Sequence, residues 1–210
     1  FKDQQDALRY ALCASAPENK DTDFTWKEFQ ARNNNELVAI LGNFVNRVVV
    51  LTNKYWDGVV PAIDITNEVD NQILSLLKIS PTKIANSIKK FRFREALTEM
   101  MNLARAGNKY LADSEPWKII KSDEKRAKTI LNISLEITAS LSIVSEPFLP
   151  FTSKKLQDIL NLTKLKWADA GKTMISSGHK INIGSHLFEK IEDDKIQEMI
   201  DKLNANKNEN

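Results

Sequence analysis

The chain is poor in the residues that build tight turns and disulfides. It has six glycines, six prolines and one cysteine among 210 residues. So few turn residues disfavour a β-sandwich or barrel, and 42% hydrophobic residues favour packed helices. Cys13 has neither a partner for an intramolecular disulfide nor metal-ligating neighbours in sequence. This pattern is typical of a reducing compartment, so we expect a cytoplasmic location.

The chain also lacks a large excess of charge of one sign. It has 30 Lys and Arg against 28 Asp and Glu, a net charge of +2. A protein with this balance cannot coat nucleic acid by charge alone, so any nucleic-acid binding must be local and shaped. No apolar run approaches the roughly 20 residues of a membrane span, and the start FKDQQDALRY is no signal peptide. We therefore expect no membrane partner. The start at Phe1 instead of Met indicates a fragment or a processed chain.

Motifs for catalysis are missing from the sequence. It contains no Walker loop, no GxGxxG, no HExxH and no GxSxG. His179 and His186 are seven residues apart with no cysteine partner, which makes a zinc site improbable. The sequence therefore predicts no catalytic residue, no metal ligand and no cofactor site within this chain.

A long helix is predicted within residues 24–58. Its apolar side chains alternate in gaps of four and three, the pattern of one buried stripe: Leu37, Leu41, Phe44, Val48, Leu51 and Tyr55. At about 100° per residue the stripe is centred on Leu37 and Tyr55, and a polar flank carries Asn43 and Arg47 one turn apart. This flank is either a solvated helix edge or a surface that binds a ligand. Thr25 and Glu28 form a capping box, and three asparagines at 33–35 leave open whether the pattern is one helix or two.

The remaining pattern also favours helices. We expect them at 6–15, from Thr66 to a break at Pro81, from there to about residue 91, and then at 93–112, 122–144, 151–160 and 194–203. Gly107, inside one of them, indicates close helix packing. Residues 166–190 hold three of the six glycines and predict an irregular or extended excursion, and residues 204–210 predict a disordered tail or linker.

A tryptophan follows a proline between two predicted helices, in the sequence SEPWK at 114–118. Trp117 either fills the core or offers a flat face on which a base stacks, with Pro116 fixing the local backbone. Two basic clusters, at 89–94 around Phe91 and Phe93 and at 118–128 after Trp117, are ordinarily solvated faces but are also suited to phosphates.

Five ordered blocks closely resemble the carboxy-terminal part of the methionyl-tRNA synthetase family. They are DALRY at 6–10, DFTWKEFQARNNNELVAILGNFVNR at 23–47, KYWDG at 54–58, NKYLADSEPWK at 108–118 and LFEKIEDD at 187–194. The resemblance implies an all-α, helical-bundle anticodon-binding domain of the class I synthetase type at 25–203, preceded by a connecting segment at 1–24. The family's signatures for ATP and its zinc-binding cysteines are absent, so the fragment is expected to bind tRNA(Met) without aminoacylating it. ATP, and zinc where the family uses it, would belong to the catalytic domain of the parent enzyme.

The resemblance also implies the binding residues. In the family an Asn and an Arg one turn apart, and a Trp after a Pro, contact the CAU anticodon; these positions match Asn43, Arg47, Trp117 and Pro116. Some members carry a further Asn where this chain has Ala39, so that contact is not expected. Many bacterial members continue into a module that forms a homodimer. The alternatives are the anticodon domain of a valine, isoleucine, leucine or cysteine synthetase, and a helical protein-interaction module.

Overall fold

Helices dominate the computed structural model, which describes residues 5–18 and 21–208, the side chains of the last four excepted. The predicted all-α class is confirmed. A π-helical segment, Asn33–Gly42, joins α2 to α3, and a 3-10 turn, Trp167–Asp169, precedes α9. The helices are α1 (Gln5–Ala14), α2 (Trp26–Arg32), α3 (Asn43–Trp56), α4 (Glu68–Lys89), α5 (Phe93–Ser114), α6 (Pro116–Ile119), α7 (Glu124–Val144), α8 (Pro150–Ile159) and α9 (Asp193–Asn208).

Helix α7 is the centre of the bundle. Every residue from 129 to 144 is buried, and the helix packs against α3, α4, α5, α6 and α8. Its small polar side chains bond within the helix, as Ser134 and Thr138 do to the carbonyls four residues back. The hydroxyls of Ser134 and Thr138 therefore need no acceptor outside the helix, whereas Ser140 accepts from the amide of Gly171 at 3.2 Å.

Two helical stretches are long and apolar enough to span a membrane by length and composition, Trp26–Trp56 and α7. Neither is an uninterrupted apolar run, because polar residues lie within both. In α7, 94% of the most apolar part is buried inside the bundle, against 39% in Trp26–Trp56. Burial among other helices accounts for the composition of α7.

Helices α2 and α3 with the π segment form one continuous helix, which resolves the alternatives left open at 33–35. Thr25 caps its start by accepting from the amide of Glu28 at 3.1 Å. In a full capping box the Glu28 side chain would accept from the amide of Thr25. Here the Glu28 side chain accepts from Arg32 at 2.7 Å instead. The left-handed conformation of Asp57, with φ 49°, ends the helix within the predicted range 24–58.

The predicted break of α4 at Pro81 is wrong. The helix runs unbroken over Glu68–Lys89, and Pro81 is buried within it. A proline inside a helix removes one backbone hydrogen bond, and here the packing of α4 on α5 and α7 outweighs that loss. The helix starts at Glu68, two residues after the predicted Thr66, because Asn67 is its cap: the Asn67 side chain accepts from the Asp70 amide at 3.0 Å.

Residues 170–192, between the 3-10 turn and α9, form no helix or strand and lie against the bundle. Backbone bonds join Val60 to His179 and Gly178, an isolated antiparallel bridge joins Val59 to Lys180, and buried Glu136 of α7 accepts from the amides of Met174 and Ile175. Burial raises the pKa of Glu136, and these two amide bonds oppose the shift.

The bounds of three other helices were predicted to within two residues. The predicted helices at 93–112, 122–144 and 151–160 correspond to α5, α7 and α8. Helix α9 extends to Asn208, whereas a disordered tail was predicted from residue 204. Pairs along the helix support it, including Glu198 with Lys195 and Lys202 at 2.8 and 2.6 Å. The last two residues of the predicted tail lie outside the described residues.

Candidate nucleic-acid interface

Helix α3 directs its apolar side chains inward and leaves Asn43 and Arg47 on its outer side. Phe44, Val45 and Val48 are buried against α5 and α7. Asn43 is exposed and Arg47 is half-buried. The two side chains are one turn apart, which places them roughly 6 Å from each other at Cβ.

The π segment before α3 alters the predicted orientation. A π turn holds more residues than an α turn, so the uniform 100° per residue assumed for the stripe does not apply across Asn33–Gly42. Leu37, Leu41, Phe44 and Val48 are buried as predicted, but Leu51 and Tyr55 are only half-buried. Centring the stripe on Tyr55 was therefore wrong.

The carbonyl of Ile40, in the last turn of the π segment, has a side-chain partner on α5. Asn108 donates to this oxygen from Nδ2 at 2.7 Å, and the amide of Asn43 donates to the same oxygen. One residue before Asn108, Gly107 meets Phe44: a Cβ at Gly107 would lie 2.6 Å from Cζ of Phe44. The predicted close packing at Gly107 is confirmed, and these contacts fix the start of α3 against α5.

The turn between α5 and α6 places Trp117. Glu115 ends α5 in the left-handed conformation, with φ 41°, and Pro116 occupies the first position of α6. Pro116 is buried, so its contribution is to the shape of the turn. Trp117 is half-buried and packs partly on the core, so its ring is partly open to solvent.

Arg47 and Trp117 are brought together although seventy residues separate them in sequence. The Cζ atom of Arg47 lies 4.7 Å from the centre of the Trp117 ring, a cation–π contact. Asn43 is one turn away from Arg47 on the same helix. We call Asn43, Arg47 and Trp117 the reading cluster. It combines an amide, a planar cation and an aromatic ring.

The basic residues at 118–128 divide into exposed and bound side chains. Lys118 forms an exposed pair with Glu115 at 2.8 Å, and the exposed Lys125 pairs with Asp64 at 3.5 Å. Arg126 instead turns into the bundle and pairs with Asp70, so its guanidinium is already engaged within the protein. The second basic cluster, around Phe91, lies at the far end of α5, about 30 Å from Trp117 along the helix.

Sequence reasoning did not identify Asn108, Tyr110 or Asp70 as part of this region. Tyr110 donates from Oη to Asp70 at 2.6 Å, and both are buried. The only local signal was the capping pair of Asn67 and Asp70, since the other contacts join residues at least forty positions apart.

Two family models match the chain. The model of the anticodon binding domain of methionyl tRNA ligase matches residues 60–208, and the model of tRNA synthetases class I (M) matches residues 2–49. Among curated proteins, the methionine–tRNA ligases of Flavobacterium psychrophilum and Cytophaga hutchinsonii are each 57% identical over 100% of this chain, which covers 31% of each relative. The chain thus spans about a third of the length of these relatives.

The helical bundle is similar to part of a solved structure. The free-state methionyl-tRNA synthetase of Mycobacterium tuberculosis matches with a TM-score of 0.85 and 22% identity, over 89% of this chain and 39% of that chain. At this identity the match supports the fold.

Proposed function

Because the chain belongs to the family of anticodon-binding domains of methionyl-tRNA ligases, we propose that it recognises the CAU anticodon of tRNA(Met) through the reading cluster. One observation carries the proposal: the guanidinium of Arg47 lies against the ring of Trp117, next to the exposed Asn43. The cluster therefore offers hydrogen bonding and stacking in one place.

Each member of the cluster suits an unstacked base. The amide of Asn43 both donates to and accepts from a base edge, and the planar fork of Arg47 donates to a base or a phosphate. Trp117 adds a ring on which a base stacks. Single-stranded loops expose bases in this way, whereas a paired A-form helix does not.

We propose that the chain acts as part of a longer, cytoplasmic enzyme. The relatives are about three times its length and bear the name methionine–tRNA ligase. In this proposal a preceding catalytic domain uses ATP to attach methionine, and the present chain supplies anticodon binding without a cofactor of its own. Dimer formation would depend on a further C-terminal module. The match to a methionyl family does not support a valine, isoleucine, leucine or cysteine synthetase.

The test compares Arg47→Ala with Lys54→Ala in binding an RNA hairpin that carries the anticodon stem and loop. Both changes remove one cation from α3, but Lys54 is exposed and lies over Tyr55, about two turns further along the helix than Arg47. We expect Arg47→Ala to weaken binding by about tenfold or more, and Lys54→Ala by much less. Equal losses in the two variants would indicate general charge attraction and contradict the proposed site.

Trp117→Ala is the second variant, and we expect a loss of about 1 to 3 kcal/mol in affinity for the same hairpin. Because the ring is half-buried, some loss of stability accompanies it, so binding is measured below the unfolding temperature of each variant. Hairpins with altered anticodons show whether discrimination of CAU falls as well. The proposal would be contradicted if the wild-type chain bound hairpins at low salt equally tightly whatever their anticodon. It would also be contradicted if the wild-type chain did not bind the CAU hairpin at all.

A further inference from the structure

One buried carboxylate holds both ends of the segment that carries Trp117. Asp70, in the first turn of α4, is fully buried. Its Oδ1 accepts from Oη of Tyr110 at 2.6 Å and from Nη2 of Arg126 at 2.8 Å, and its Oδ2 accepts from Nη1 of Arg126. Tyr110 is in the last turns of α5 and Arg126 in the first turn of α7. The chain between them, residues 110–126, is called the Trp117 segment below.

The three side chains form a fully bonded, charged group. Burial by itself raises the pKa of Asp70, but bonds from Arg126, Tyr110 and the amide of Asn67 outweigh burial and hold this pKa below its ordinary value. Asp70 is therefore ionised near neutral pH, and the planar fork of Arg126 binds it through two nitrogens. Such a pair fixes geometry in two directions, which a single hydrogen bond does not.

The middle of the Trp117 segment is α6, which packs on α7 through a turn whose Pro116 is buried. Helix α6 is a single turn of four residues, too short to be stable alone. Its recorded ion pair, Glu115 with Lys118, has side chains that are 41% and 65% exposed and adds little. The position of Trp117 thus depends on the packing of α6 on α7 and on how the two ends of the segment are fixed.

We propose that Asp70, Tyr110 and Arg126 are positioning residues for anticodon recognition, because they fix the ends of the Trp117 segment and so hold the Trp117 ring over Arg47. This inference rests on the proposed function. None of the three needs to touch RNA. If the contacts among Asp70, Tyr110 and Arg126 loosen, the Trp117 ring leaves its place over Arg47 in a fraction of the molecules. The apparent affinity for RNA then falls in proportion to the fraction in which the ring remains in place.

The test uses Tyr110→Phe, which removes one bond to Asp70 and keeps the ring. Tyr10→Phe is the matched control: Tyr10 is another buried tyrosine that donates to a carboxylate, Glu36, and it lies beside Leu97 and Met101 in the first half of α5. The chain is labelled with 5-fluorotryptophan, and Trp117→Phe assigns one of the four ¹⁹F signals. RNA affinity is measured with the CAU hairpin.

We expect Tyr110→Phe to shift or split the ¹⁹F signal of Trp117 and to weaken hairpin binding by about fivefold, matching the fraction of the displaced signal. Tyr10→Phe should leave that signal and the affinity unchanged. Arg126→Lys, which keeps the charge but loses the fork, should give the same relation between signal and affinity.

An unchanged Trp117 signal and affinity in both Tyr110→Phe and Arg126→Lys would overturn the positioning role, and so would equal losses in Tyr10→Phe. Neither result affects the proposed function if Arg47→Ala still loses binding. If instead Arg47→Ala and Trp117→Ala bind the hairpin as the wild type does, the proposed function fails and the positioning role fails with it.

Discussion

A methyl group added at Gly107 measures how tightly α3 is held against α5. The Cβ of an alanine at this position would lie 2.6, 2.8 and 3.0 Å from Cζ, Cε2 and Cε1 of Phe44. The Phe44 ring is fully buried and directly follows Asn43 of the reading cluster. Gly107→Ala must therefore displace the ring or push the two helices apart.

Two opposing free energies set the expected size of the effect. Replacing Gly by Ala inside a helix stabilises it by about 1 kcal/mol. Overpacking a core costs about 1 to 3 kcal/mol. Because three ring atoms lie within 3.0 Å and the ring has no solvent to move into, the overpacking penalty should be near its upper end. We expect a net loss of about 2 kcal/mol in the free energy of unfolding.

Equilibrium urea unfolding measures this loss, and Phe44→Leu supplies the control background. The smaller side chain removes the ring atoms that the new methyl group would meet. In that background Gly107→Ala should be neutral or stabilising by up to about 1 kcal/mol, the ordinary helix preference. The double-mutant cycle should therefore give a coupling energy of about 2 to 3 kcal/mol.

Two outcomes would refute this reasoning. If Gly107→Ala stabilises the wild-type chain, the Phe44 ring yields freely and the close approach is no constraint. If the loss is the same with Phe44 and with Leu at position 44, the obstacle is something other than the ring.

Two further predictions concern buried polar contacts. Asp70→Asn leaves Arg126 without its counter-ion and should cost about 3 kcal/mol of unfolding free energy at pH 7, measured in urea. Because the pKa of Asp70 is lowered in the folded state, the stability that the carboxylate contributes is present above about pH 4 and is lost as pH falls through the folded pKa. A stability difference between the wild type and Asp70→Asn that stays constant with pH would contradict this. Asn34→Ala removes both bonds between the Asn34 side chain and the backbone of Ile191, each 2.9 Å long. It should speed hydrogen exchange in residues 189–196 and lower the free energy of unfolding by only about 1 kcal/mol. Asn35→Ala, at an exposed neighbouring position, is the control. Unchanged exchange there would show that those bonds do not hold the segment.

Helix positions could be predicted from the sequence because their signals are local. The apolar spacing of α5, α7 and α8 and the caps at Thr25 and Asp57 depend on residues within a few positions of each other. Pro81 misled the prediction because its effect was decided by distant packing of α4 on its neighbours. The π segment could not be predicted by assuming a uniform turn, since its geometry is not a property of the apolar pattern.

The candidate site divides in the same way. Asn43 and Arg47 could be placed on one helical flank from their spacing, but pairing them with Trp117 came from the family resemblance, and the structure shows the contact of Arg47 with that ring. Asp70 and Tyr110 gave no sequence signal of their partnership because forty residues separate them. Contacts of that range are made by the fold as a whole.

The last turns of α5 contact the start of α3, which carries Asn43 and Arg47, and also help to fix the segment that carries Trp117. Gly107 contacts Phe44, which follows Asn43. Asn108 donates to a carbonyl in the last turn of the π segment. Tyr110, the first residue of the Trp117 segment, donates to Asp70. These three residues face different partners within a single helical turn. Because side chains in adjacent positions of a helix point in different directions, one rigid turn can set the position of α3 and of Trp117 at once. The distance between Arg47 and Trp117 therefore depends on α5, although neither residue belongs to it.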